Sequence, residues 1–401
     1  MAHAPGPGRP TRLLVGITIA LGAAILVGFI ALWPGDVQPP EQAELLRRGA
    51  LVEATAVAIE RGPCGSSSGA VEQEPEGDPL PDGPICRALT FRIEDGDDRG
   101  TQVVIELPDL STAPDIAVGE RVVLERPPVE VPGAPYAFYD RIRAPSLLWL
   151  AIAFAVIVVA IGGLRGLAAL AGLAVSIGIL LVFVLPAILD GSPPVLVASV
   201  GAGAIGFVVI YLAHGFTHRT TVALIGTLSG VAVTLALSLI WQPLARLAGL
   251  GTEGSYVITA IGADIDLAGL LLAGFVIGAL GAIDDIAVTQ ASAVWELRDA
   301  DPELGQQQLF RAGMRVGRDH VGSIVNTLAL AYAGASLPLL IIFQLSELPL
   351  GRLVGSEVVA TEVVRTLVGS IGLVAAMPVT TWLAALVAAR EGPGRPIVAS
   401  S

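Results

Sequence analysis

The chain has 401 residues, 53% of them hydrophobic, with a mean hydropathy of +0.73 and a formal net charge of −13. That apolar content exceeds what a soluble domain of this size carries and marks a membrane protein, with the lipid bilayer as its first partner. Its 23 basic residues are all Arg, and they form no basic stripe, which excludes a nucleic-acid partner.

The first apolar run, residues 13–33, is longer than the about 7–15 residues of a secretory signal core. No small-residue cleavage site precedes "WPGD" (33–36), so it reads as an uncleaved anchor behind a short tail (1–35 together). Residues 36–145 then hold 21 acidic and 10 basic residues, so most of the net negative charge sits there. In this segment the apolar period changes to alternation. "LVEATAVAIE" (51–60), "CRALTFRIED" (86–95), "TQVVIELP" (101–108), "ERVVLERP" (120–127) and "AFYDRIR" (137–143) predict five short strands. Gly-, Pro- and Asp-rich turns separate them, which suggests a small closed or half-closed barrel of OB-like type. The Pro/Gly-rich stretch 62–84 between the first two strands predicts a flexible loop. The only two cysteines, Cys64 and Cys86, flank it; an exported location permits a disulfide, which closing such a loop would make worth about 3 kcal/mol.

Seven further runs of spanning length follow, at roughly 146–163, 166–189, 194–213, 220–241, 267–288, 320–343 and 364–389. With both termini cytoplasmic, the tails and short inner loops contain Arg9, Arg12, Arg165, Arg219, Arg298, Arg311, Arg315, Arg318, Arg390 and Arg395. Short outer loops hold only Arg246, Arg352 and Arg365. This asymmetry favours an even number of spans with the acidic segment outside. The expected fold class is therefore an α-helical polytopic protein of the inner (cytoplasmic) membrane with about eight transmembrane helices. An extracytoplasmic β-barrel-like domain at 36–145 follows the first helix, the membrane domain covers 146–390, and a cytoplasmic tail covers 391–401.

The sixth run carries two carboxylates, Asp284 and Asp285, in "GFVIGALGAIDDIAVTQASAVWEL". At 100° per residue, Gly274, Gly278, Gly281, Asp285, Thr289, Ser292 and Glu296 fall within a sector of about 80°. Glycines at this spacing let a neighbouring helix approach closely, so Gly274, Gly278 and Gly281 predict a packing surface. Asp285, about 27 Å along the helix, reads either as a buried functional carboxylate or as one in the wet interface. Asp284 lies off the stripe and is the less favoured of the two. The partner expected for the stripe is Asn326, since Gly322, Asn326, Ala329 and Ala333 line one small face of the seventh run; Asp319 and His320 stand at its inner mouth.

Other groups carry less. His214 and His218 are four residues apart but lack a third metal ligand, so no metal is assigned. Asp264 and Asp266 flank an outer helix end. An intramembrane aspartyl protease needs two facing carboxylates, and no second span carries an Asp or Glu in its core, so no enzyme is expected. No Walker-type nucleotide motif occurs, and no cofactor is implied.

"GALGAIDDIAVTQASAVWEL" (278–297) followed by "GRDHVGSIVNTLALAYAGASLPLL" (317–340) resembles the hallmark of the YibE/F-like family of multi-pass bacterial membrane proteins, over about residues 45–389. Asp285, Ser292 and Glu296 match the first motif, and Asp319, Asn326 and Thr327 the second. Asp284 stands where the family commonly carries a hydrophobic residue. The resemblance implies a permease-like role, not a substrate. Two functional expectations result. One is an ion-coupled secondary transporter for an unknown small solute or ion, with Asp285 on the pathway. The other is a non-transport scaffold or envelope-assembly factor that meets a protein partner through its external domain.

Overall fold

The computed structural model describes residues 9–35, 49–64, 85–110, 113–127, 135–251, 253–260, 264–345 and 349–390. The chain divides into two compact units, Met1–Pro40 with Ala155–Ser401, and Glu41–Phe154.

The smaller unit holds a curled antiparallel sheet of β1 (Ala50–Pro63), β2 (Ile85–Ile93), β3 (Gln102–Pro108), β4 (Arg121–Arg126) and β5 (Ala137–Arg141), in the order β3-β2-β1-β4-β5. Central β1 pairs Ala54 with Ile93 of β2 on one side and with Val122 of β4 on the other, and is bulged between Ala56 and Ala58. Alternation sends Val52, Ala54 and Ala56 to the same face as Leu89, Phe91, Ile93, Val122 and Leu124, and these form one core. The five strands lie where alternation predicts them. Cys64 and Cys86 are bridged, their Cα atoms 4.8 Å apart. The expected flexible loop falls almost entirely outside the described residues. Buried Arg87 is paired with Asp109 at 3.2 Å and Asp115 at 3.1 Å, so its charge is compensated where burial would otherwise be costly.

The larger unit is helical. It contains α1 (Arg9–Ala31), most of α2 (Ala144–Ile179), a π-turn at Leu180–Val184 leading into α3 (Leu185–Leu189), α4 (Pro194–His214), α5 (His218–Leu244) and α6 (Glu253–Ala260). It continues with α7 (Leu267–Ala300), α8 (Gln306–Ala335), α9 (Leu337–Leu345), α10 (Leu350–Val354) and α11 (Glu357–Ala388). Six segments among the described residues are long and apolar enough to cross a membrane, or seven if bent α8–α9 (63°) is one span. One of the six, Ala144–Leu189, runs 46 residues, about twice what a ~30 Å core requires. It is broken at Gly163, whose φ of 57° is left-handed. The chain reverses there, since a Cβ on Gly166 would stand 2.3 Å from the Val158 carbonyl oxygen. That break corresponds to the turn expected between residues 163 and 166.

Helices α5, α7 and α11 form the core of this unit, with α4 against α7. The tightest approach is between α5 and α11. A Cβ on Gly226 would lie 1.9 Å from Thr380 Oγ1, and one on Gly372 1.9 Å from Thr234 Oγ1. Apolar layers fill the rest: Val276, Ile283 and Ile286 from α7 pack with Val231 of α5 and Leu373 and Ala376 of α11. Asp266 caps α7, its Oδ1 accepting from Gly269 N at 2.9 Å, which gives that acidic residue a local structural role.

The glycine stripe expected to pack α7 faces the other way. Gly274, Gly278 and Gly281 are exposed; a Cβ on Gly274 or Gly281 would meet nothing within 4 Å, and one on Gly278 would meet the Tyr332 hydroxyl of α8 at 3.1 Å. Gly226→Val should therefore destabilise the protein by about 1–3 kcal/mol or more through overpacking, whereas Gly274→Val should stay within about 0.5 kcal/mol. Thermal unfolding of both variants in detergent decides this; equal losses would restore the stripe as a packing seam.

In the sheet unit, the buried Tyr136 hydroxyl donates to Asp98 Oδ2 at 2.6 Å. Burial, then this hydrogen bond and the Asp98 charge, push the phenol up to about 12. A phenol raised above its unfolded value of about 10 contributes stability that is complete below that pH and is lost as pH rises through the folded value. The tyrosinate absorbance that Tyr136→Phe removes should thus titrate near 12 in the native full-length chain; a midpoint near 10 would mean that the phenol is solvated.

Candidate functional site

Where α4 ends at His214 and α5 begins, capped by Thr217, the helical unit opens into a cavity of about 310 Å³. Thr217 Oγ1 accepts from Thr220 N at 3.1 Å, and Thr220 Oγ1 donates to the His214 carbonyl at 3.3 Å, so this turn is fixed by its own hydroxyls. Arg165, His214, Arg219 and Ser292 supply the remaining polar lining, and Ala223 and Val288 are the lining residues furthest along α5 and α7 from the turn.

Helices α5 and α7 run antiparallel past this cavity, and their facing residues step by four on both. The first pair is Arg219 and Ser292, joined by a hydrogen bond from Arg219 Nε to Ser292 Oγ at 2.9 Å. Arg219 also reaches exposed Glu296 at 3.5 Å, a solvent-screened pairing of small energetic value. Next come Ala223 and Val288. One turn beyond, fully buried Thr227 donates to half-buried Asp284 at 3.4 Å, a long hydrogen bond. Asp284 therefore lies about 6 Å along α7 from the cavity's inner end. A carboxylate there is poorly solvated and has one weak donor, which makes it responsive to a proton or cation.

Level with the cavity, but on another face of α7, a second polar pair joins α7 to α11. Gln290 is fully buried, and its Oε1 accepts from Thr381 Oγ1 at 2.9 Å. Its amide nitrogen has no partner among the described residues. It sits against Gly317 of α8, where a Cβ would come within 2.7 Å. Helices α7 and α8 touch through Gly313 and Gly317 against Val294 and Gln290, and through Tyr332, whose hydroxyl would stand 3.1 Å from a Cβ on Gly278, rather than through Asn326.

The sequence-derived residues divide accordingly. Ser292 and Glu296 meet Arg219 at the cavity. Thr289 is half-buried beside them. Asp285, Asn326 and Asp319 are exposed and hydrogen-bond no group among the described residues, and Gly322 has open space around it. The expected Asp285–Asn326 partnership is thus replaced by Asp284–Thr227. The reason is that the buried face of α7, including Ile283, Ile286, Gln290 and Val294, lies opposite the stripe, and Asp284 flanks it. Sequence reasoning missed Thr227, Gln290 and the cavity's Arg165–Arg219 convergence. A Gln inside an apolar run was the available signal for one of them. His214 lines the cavity, and among the described residues no three His, Cys, Asp or Glu side chains are placed to hold a metal ion.

In a background with Cys64 and Cys86 replaced by Ser, Ser292→Cys should react with a small water-soluble thiol reagent. Thr380→Cys, fully buried, should be protected by comparison. Equal protection of both would mean that the cavity is closed to water.

No curated protein and no solved structure matches the chain. A model of the YibE/F-like protein family matches residues 150–390. The match begins later than the resemblance over 45–389 suggested and leaves out the sheet. It takes in every residue that lines the cavity, together with Thr227, Asp284 and Gln290, and it covers more than half of the chain: the chain belongs to the YibE/F-like family.

Proposed function

We propose that the protein is a permease, an ion-coupled secondary transporter whose pathway begins at the cavity and passes Asp284. The topology in this reading has eight spans, with Gly163 separating the second from the third and α8–α9 forming one bent span. Both termini are cytoplasmic, and the sheet unit is an extracytoplasmic, OB-like cap. Arg165 and Arg219 belong to the basic set expected on the cytoplasmic side, so the cavity opens inward.

The observation that supports this most is the α5–α7 pair series: Arg219–Ser292 at the mouth, a short apolar step, then Thr227–Asp284. A solute entering from the basic end meets a carboxylate whose charge must be neutralised before the seam can close dry around it. Neutralisation by a proton or a cation is the coupling step. The role assigned to Asp285 passes to Asp284, because Asp284 meets Thr227 of α5 whereas Asp285 is exposed and hydrogen-bonds no group among the described residues. No covalent chemistry is involved, and the protein is not an enzyme.

The test is flux in proteoliposomes carrying an internal pH dye and challenged with a panel of small anions. Asp284→Asn should lower flux at least about tenfold, the factor that about 1.4 kcal/mol corresponds to, while Asp285→Asn should leave it within about twofold. If both variants behave as wild type, and deletion of residues 51–143 alone abolishes cellular function, the transporter reading fails and the scaffold reading replaces it.

A further inference from the structure

The cavity shares lining residues with two neighbouring hollows. Thr217 and Arg219 also border an open cleft of about 640 Å³, whose other walls are Val15, Tyr211, Phe216, His218, Thr221 and Trp295. Val15, Tyr211, Phe216 and Thr221 in turn border a hollow of about 350 Å³ that follows α1 past Ile19 and Ala23, with Phe207 of α4 as a further wall. The polarity changes along this line. At one end stand two guanidinium groups, one imidazole and the N-terminus of the 27-residue α5. At the other the walls are mostly aliphatic and aromatic, with Tyr211 stacked on Phe216 at 4.6 Å between ring centroids, and the hydroxyls of Thr18 and Thr221 there donate to the Leu14 and Thr217 carbonyls of their own helix turns.

Each end selects a chemistry. Arg219 is engaged by Ser292 and Glu296, whereas Arg165 is exposed and has no partner among the described residues. Its planar fork is thus available for a bidentate oxyanion, and a helix N-terminus favours the same charge. The groove from Val15 to Ala23 spans eight residues, about 12 Å, and offers an acyl chain apolar walls without asking it to enter water.

We propose that the composite site takes an anionic amphiphile, with a phosphate-class head group between Arg165 and Arg219 and an acyl chain laid along α1 and α4. The inference rests on the permease reading and narrows its solute. The head group alone could also be satisfied by free phosphate; the apolar groove is what favours the amphiphile.

Binding is measured on the purified full-length chain in a neutral detergent, using dihexanoyl phosphatidic acid, dihexanoyl phosphatidylcholine and inorganic phosphate as probes. Phosphatidic acid should bind saturably and raise the thermal midpoint. Arg165→Gln should weaken it about tenfold, the affinity factor for about 1.4 kcal/mol, with an unchanged midpoint in the absence of probe. Ala23→Trp, which fills the groove, should weaken phosphatidic acid and leave phosphate unaffected. Equal affinity for phosphate and phosphatidic acid, both indifferent to Ala23→Trp, would overturn the amphiphile and leave a free-oxyanion site. Equal binding of phosphatidylcholine, or binding of none of the three, would overturn the site altogether. Flux and binding are read separately: loss of the permease reading would appear as wild-type flux in Asp284→Asn with saturable phosphatidic acid binding retained by the wild-type chain, and loss of this one as the binding outcomes above whatever the flux.

Discussion

The close approach of α5 to α11 fixes the geometry on which the site depends. Two glycines on opposite helices each receive a threonine hydroxyl from the other: Gly226 faces Thr380, and Gly372 faces Thr234. Inside a bilayer, apolar burial gives helices little reason to prefer one another to lipid, so dispersion contacts and local hydrogen bonding set the interface. Thr380 satisfies its hydroxyl within its own helix, donating to the Ala376 carbonyl at 2.8 Å, whereas Thr234 Oγ1 is buried with no hydrogen-bond partner among the described residues. A seam built this way can be narrow and polar at once. With α5 and α11 held together, α7 lies against both, Ile283 meets Gly230, and the register that pairs Thr227 with Asp284 follows.

The charges along that register have a direction. Positive groups stand where water reaches, and the carboxylate stands one turn further in. The penalty for placing an ionised carboxylate away from water is large unless it is paired, and one long hydrogen bond from Thr227 offsets only part of it. Glu296, exposed and close to Arg219, contributes little energy but keeps the guanidinium aimed along α7.

The sheet unit solves a different problem. It buries Leu89, Phe91, Ile93, Val122 and Leu124 in a core of its own, ties β1 to β2 through the Cys64–Cys86 bridge, and compensates buried Arg87 with two aspartates. In chain order it follows the first apolar helix and precedes the rest. The family match begins after it, at residue 150, so the sequence shared with the family lies in the helices, and a fold by itself assigns the module no activity.

The sequence by itself determined that this is a membrane protein, where its apolar helices run, that a five-stranded unit follows the first of them, and which family motif it carries. These rest on local signals: an alternating period in a half-buried strand has only one reading, and a run of twenty apolar residues has few. Which side of α7 faces inward was decided only by tertiary structure. In water the apolar face of a helix is the buried one, but in a membrane lipid and protein interior are equally apolar, so periodicity locates faces without orienting them. Gly274, Gly278, Gly281 and Asp285 share one face, as their spacing dictates, yet that face is the outer one. Asp284, one residue away and about 100° round the helix, is turned inward because α5 presents Thr227 there, a contact between residues 57 positions apart in the chain.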